Sequence, residues 1–335
     1  MNAKERVYAQ MEGRPVDRIP NLSLIMQFAA RYINVPYGKY VTDYRYLVDA
    51  NIKCCEKFGL DMVSAISDPF RETAAFGADV LIKEDDVPLC PEHFLDSWTK
   101  MDKLVRFDPM GNARTADRIN AIRLYKTTVG DEYPICGWIE GPVAESCDLR
   151  GINQLMYDLY DEPDAVRELL QICLEQGIQF AEAQIQAGAD FIGIGDAAAS
   201  VIGPVLYKEF AFEYQKQLVS KVQKMGAKVK LHICGDINPI LPLLKEVAPD
   251  MLDIDFMVDF KSAVKIIDNK IALCGNINPV STILEGNEKT IDKSVGNCIA
   301  DMNNKSFISS GCEIPKYTST ENMLVFKNSI DIYSK

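Results

Sequence analysis

The chain has 335 residues, 47% hydrophobic and 25% charged, which supports a sizeable core in one large domain or two ordinary ones. Its net charge of −12, with a pI near 4.8, excludes the clustered basic face of a nucleic-acid binder and argues against docking on an anionic membrane. No apolar run reaches the roughly 18 residues of a membrane span, and the charged start Met1-Asn2-Ala3-Lys4-Glu5-Arg6 lacks a secretory apolar segment, so a cytoplasmic location is expected. The ten cysteines are too sparse over this length for a disulfide framework. Most should be small buried apolar groups, held reduced in a reducing cytosol such as that of an anaerobe.

In chain order, an amphipathic helix over Ala3–Gly13 comes first and should pack outside the sheet or close its bottom. β-branched and apolar runs then predict strands at Ile19–Leu24, Met62–Ile66, Ile135–Ile139, Phe191–Ile194, Val229–Ile233, Met251–Ile254, Ile271–Cys274 and Phe307–Ser309. Helical stretches lie between most of them: Asp43–Phe58, Thr115–Thr127, Asp164–Gln186, Pro204–Lys224 and Asn287–Met302. Pro163 with Gly188, and Pro204 with Gly226, frame two of these helices as first-turn proline and terminal glycine. Strands alternating with helices imply a parallel sheet with right-handed crossovers. Eight strands favour a closed (β/α)8 barrel; an open doubly wound sheet is the alternative. Pro69–Pro109 is an insertion after the second strand, with Gly77–Cys90 as a small hairpin over the mouth. No linker or low-complexity tract divides the chain, so residues 1–335 are expected to form a single domain.

In such a barrel, chemistry gathers where strands end and loops begin. The residues at those places include Asp68, Glu140, Asp196, His232, Cys234, Asp255, Asn276 and Cys312. His232 and Cys234 are two apart on a strand and so share a face. Cys312 follows Gly311 at the end of the last strand, 78 positions later. Two thiolates and an imidazole select zinc over magnesium or calcium, and three protein ligands leave one position open for substrate. The plainer reading of His232 is a packed, hydrogen-bonded core histidine. Glu140, in Trp138-Ile139-Glu140-Gly141-Pro142, is a fourth ligand, a proton carrier or a substrate anchor, or else a carboxylate facing a helix N-terminus. Asp196 divides the same way; Asp68 and Asp255 are weaker. Arg31 and Tyr32 could cap a substrate carboxylate or brace the rim. Gly193-x-Gly195 lacks the third glycine of a dinucleotide loop.

These motifs are similar to those of the uroporphyrinogen decarboxylase superfamily, and specifically of its zinc-dependent, corrinoid-linked methyltransferase branch. The resemblance runs from Glu12-Gly13-Arg14-Pro15-Val16-Asp17-Arg18-Ile19-Pro20 through Gly141-Pro142, Gly195-Asp196 and His232-Ile233-Cys234-Gly235. It ends with Gly275-Asn276-Ile277-Asn278-Pro279 and Gly311-Cys312-Glu313-Ile314-Pro315. It implies a (β/α)8 barrel with zinc on His232, Cys234 and Cys312, Glu140 and Asp196 as catalytic groups, and Gln27, Arg31, Asp68, Asp255 and Asn276 as substrate contacts. It also implies a corrinoid (cobalamin-type) protein and a small methyl donor as partners, and allows a homodimer. Where the decarboxylases carry Met-Arg-Gln-Ala-Gly-Arg-Tyr, this chain reads Met26-Gln27-Phe28-Ala29-Ala30-Arg31-Tyr32. Losing that arginine removes part of the basic cluster a polycarboxylate needs. Within the branch, Gly137–Gly151 and Glu313 resemble the enzymes that move methyl from a donor, such as a phenyl methyl ether, to cobalt. The alternative moves methyl from a methyl-corrinoid to a thiol such as coenzyme M. A structural zinc protein is the non-enzymatic alternative.

Overall fold

The computed structural model describes residues 1–334. Seven parallel strands pair in chain order: β1 (Val63–Ser64), β2 (Ile135–Glu140), β3 (Phe191–Gly195), β4 (Lys228–Ile233), β5 (Met251–Ile254), β6 (Ala272–Ile277) and β7 (Phe307–Ser310). Each is followed by helix before the next strand begins, so the parallel order expected from the alternation is observed. β2, β3 and β5 are apolar-rich and almost wholly buried, as parallel strands covered on both faces must be.

The eighth expected strand, Ile19–Leu24, does not form. One residue of it, Asn21, makes isolated parallel bridges to Leu60, just before β1, and to Ile308 in β7, so it joins the two edges of the sheet. The physical reason is local. Pro20 has no N–H, the Asn21 N–H goes to the Asp61 carboxylate, and the Ser23 N–H turns back to Asn21 Oδ1. A ladder cannot continue through groups already spent. The second strand is likewise only two residues long.

The helices largely match their expected spans: Tyr44–Phe58, Ala113–Thr128, Pro163–Ala187 and Glu288–Asp301. Pro204–Lys224 is not one regular helix. It divides into Gly203–Leu206, a π segment Tyr207–Ala211, and Phe212–Lys224. The N-terminal helix Ala3–Met11 closes the N-terminal end of the sheet. Its Val7 packs with Leu22, Phe191, Met251 and Phe307 inside the curl, and Lys4 pairs with Asp190 at 2.9 Å. The expected hairpin reduces to a reciprocal backbone pair between Leu81 and Leu89. It leans on the rim through Lys316–Asp85 and Gln27–Asp86. No helix among the described residues is long and apolar enough to cross a membrane.

Candidate metal centre

β4 and β7 bring the metal-type residues together. His232 is the penultimate residue of β4, Cys234 lies just past its end, and Cys312 follows β7 after Gly311. His232 Nε2 lies 2.9 Å from Cys234 Sγ, and the two sulfurs are 3.8 Å apart. The three ligand atoms all fall within 4.8 Å of one another, the one such group among the described residues. Gly311 is required for this approach: a Cβ there would sit 2.3 Å from Phe256 N, so any side chain would push the loops after β5 and β7 apart.

The donors are oriented from behind. His232 Nδ1 lies 3.1 Å from the Asp253 carbonyl oxygen, to which its N–H can donate, leaving the Nε2 lone pair facing the sulfurs. Asp253 is fixed by Lys230 Nζ at 2.7 Å and by the Ser309 hydroxyl at 3.2 Å. His232 is buried, whereas both cysteines are half-buried and reachable. The Cys312 thiol is held below its ordinary range, first by its hydrogen bond with Cys234 and then by His232, which favours a thiolate. Two sulfurs and one imidazole nitrogen suit a thiophilic, tetrahedral ion such as zinc and suit magnesium or calcium poorly.

The three residues line a cavity of about 180 Å³. Its walls are mostly apolar, from Leu24, Met26, Ile66, Pro69, Trp138 and Ala197, with Asp68, Glu140 and Glu313 as its carboxylates. Asp68 is held by both contacts of Arg114 NH2, at 2.6 and 2.7 Å. Glu140 Oε1 accepts from buried Arg71 at 2.8 Å. Burial pushes the Glu140 carboxyl well above its usual range, and Arg71 opposes that rise. Gly195 keeps the adjoining wall open, since a Cβ there would meet Glu140 Oε2 and Trp138 Nε1 at 3.2 Å.

Other expected site residues are placed differently. Asp196 is fully buried; its carboxylate accepts Ala144 N at 2.8 Å and Gln215 Nε2 at 2.6 Å, capping the helix Pro142–Arg150 rather than facing the cavity. Asp255 staples two loops by accepting Gly235 N and Met257 N. Asn276 donates to the Asp255 and Val258 carbonyls. Gln27 donates its backbone N–H to Glu313, and Arg31 stacks over Tyr317 at 5.4 Å on the exposed rim. Sequence reasoning missed Arg71, Met26 and Ile66 as parts of the site. Arg71 lies in the insertion, and nothing in its spacing marks an arginine that will be buried.

Asp196 gives a stability test. Burial raises its carboxyl from near 3.8 to about 6, against the hydrogen bonds that lower it. A carboxyl that holds its proton more tightly when folded favours the fold while protonated. Stability should therefore fall as pH rises from about 4 to about 6, by roughly 2–3 kcal/mol from this group. Urea titrations across that window should show the slope in the wild type and a shallower one in Asp196→Asn.

Fold and site together define an α/β protein with a thiolate-rich metal centre at the C-terminal rim of a parallel sheet. The uroporphyrinogen decarboxylase (URO-D) family model matches residues 2–333, and the chain belongs to that family. Among its relatives is the methylcobamide:CoM methyltransferase MtbA of Methanosarcina mazei, 26% identical over 96% of this chain and 95% of the relative. Another is the methylcobamide:CoM methyltransferase MtaA of Methanosarcina barkeri, 28% identical over 98% of each. A solved structure, a methyltransferase from Methanosarcina mazei, shares the fold with a TM-score of 0.89 over 99% of both chains at 24% identity. These agree with the branch read from the motifs.

Proposed function

We propose that this protein is a zinc-dependent methyltransferase that moves a methyl group from a methyl-corrinoid, carried by a partner protein, to a thiol. The observation that carries the reading is the convergence of His232, Cys234 and Cys312 on one small apolar cavity. The relatives named methylcobamide:CoM methyltransferase support the direction. The phenyl methyl ether donor placed first from the sequence has no support in those relatives, so the order of the two directions is reversed. Glu313, read as a mark of the ether-cleaving enzymes, instead holds the Gln27 backbone N–H, a task independent of direction. Decarboxylation is disfavoured because no basic side chain lines the cavity among the described residues.

Zinc held by His232, Cys234 and Cys312 lowers the pKa of a thiol bound to it, so that the sulfur reacts as a thiolate. Asp253 and Lys230 keep the imidazole aimed. Glu140, raised by burial and poised by Arg71, receives the thiol proton at Oε2, the oxygen not engaged by Arg71. The apolar walls exclude water from the sulfur. The sulfur forms a bond to the methyl carbon, the cobalt–carbon bond breaks, and its electron pair stays on cobalt. A corrin macrocycle far exceeds the 180 Å³ available, so it must be presented from outside. Exposed Val201, Val205, Phe256, Met257, Val280 and Tyr317 on the segments after β3, β5, β6 and β7 offer apolar surface for such a partner.

The test is to mix purified protein with methylcobalamin or a methylated corrinoid protein and a thiol, following the cobalt spectrum. Demethylation should require the thiol, cease after chelation, and return with zinc. Transfer that is indifferent to chelation, or that runs only from an ether to reduced corrinoid, sinks the proposal.

A further inference from the structure

The cavity's charge is the wrong sign for an anionic substrate tail. Its lining holds Asp68, Glu140 and Glu313 and, among the described residues, no lysine or arginine. The two nearby guanidinium groups are spent: Arg71 is fully buried against Glu140, and Arg114 is bound to Asp68. Glu313, next to Cys312, has no cationic partner; its contact is the N–H of Gln27 at 2.8 Å. The uncompensated charge on the wall is therefore negative.

We propose that the thiol accepted by this cavity ends in an uncharged or ammonium-bearing group and not in a sulfonate. The inference rests on the thiol direction proposed above and narrows its substrate class. A sulfonate is a strong acid, so it cannot escape burial by taking up a proton as a carboxylate does. Placed beside Glu313 without a cation, it would lose its hydration and meet a like charge, which is how sites reject ligands. An ammonium in the same place would pair with Glu313. The other basic groups near the mouth are on the outer rim. Arg31 lies over Tyr317, and Lys316 is tied to Asp85 at 3.0 Å. The thiol named for the relatives, coenzyme M (2-mercaptoethanesulfonate), is the anionic case, so this chain should differ from them in its acceptor.

The experiment compares 2-mercaptoethanol, 2-aminoethanethiol and 2-mercaptoethanesulfonate as acceptors from methylcobalamin. A pH series corrects for the acidity of each thiol. Binding to the cobalt-substituted protein is read separately from the thiolate-to-metal absorption band. The neutral and cationic thiols should exceed the sulfonate by about tenfold or more in kcat/KM and in affinity. Glu313→Gln should shrink the preference for the cationic thiol over the neutral one. A sulfonate that binds as well as or better than the others overturns the inference. A sulfonate preference abolished by Arg31→Ala or Lys316→Ala also overturns it, by placing the tail on the rim. If the thiols bind in the expected order but none is methylated, the tail assignment stands and the methyl-transfer reading fails. If no thiol binds, both fail.

Discussion

Cys312→Ala should reduce bound zinc from one per chain to near zero after dialysis and lower methyl transfer by about 10³-fold or more. That loss corresponds to the several kcal/mol a metal supplies at the transition state. Cys312 is half-buried on a rim loop, so its removal leaves little cavity, and most of the fold's stability should survive. What the variant loses is the metal's contribution to the melting temperature, because a ligand that binds only the folded state stabilises it by mass action. Metal analysis, circular dichroism and the cobalt spectrum separate these effects. Were the zinc structural, the variant and the chelated wild type would unfold rather than remain folded and silent. Zinc content and turnover that both survive the substitution would refute the site.

The contrast between Cys312 and Asp196 shows what the sequence could and could not disclose. Both follow a strand end next to a glycine, and strand-end position marks both for chemistry. Soft ligands carry their meaning in their type: two cysteines and a histidine brought to one rim have few other uses. A carboxylate does not. Asp196, Asp255 and Asn276 were legible as rim residues, but each faces backbone groups left open by a neighbouring loop or helix, and those take up its hydrogen-bonding capacity. Which carboxylate meets the cavity depends on packing several elements away, and Glu140 does so because Arg71 reaches it from the insertion. The strands followed the same logic. Long apolar runs such as Ile135–Ile139 and Val229–Ile233 fixed their own pairing. Ile19–Leu24 had the composition of a strand, but Asp61 and the Asn21 side chain took its backbone donors.

Lys230→Met should cost about 3–5 kcal/mol, the largest stability loss expected of a single change near the centre. The Lys230 and Asp253 side chains are almost fully buried, at 1% and 2% exposure, with Nζ 2.7 Å from Oδ2. Burial works against the ammonium, but Asp253 outweighs it and keeps the lysine charged. Methionine fits the lysine's space yet strands the Asp253 charge inside the sheet, with only the Ser309 hydroxyl near its other oxygen. The carboxylate must then take up a proton or swing toward His232 Nδ1, which is already 3.5 Å from Oδ2. Either response disturbs the group that aims the imidazole, so zinc affinity should fall by about 10–100-fold as well. Urea denaturation of the zinc-free protein gives the first quantity, and competition with a chromophoric chelator gives the second. Adding Asp253→Leu to Lys230→Met should restore much of the stability, since a well-packed apolar pair can replace a buried ion pair. It should not restore metal affinity if the carboxylate is what steadies His232. Recovery of both together would mean that the pair serves packing alone and that the backbone carbonyl of Asp253 suffices to hold the ligand.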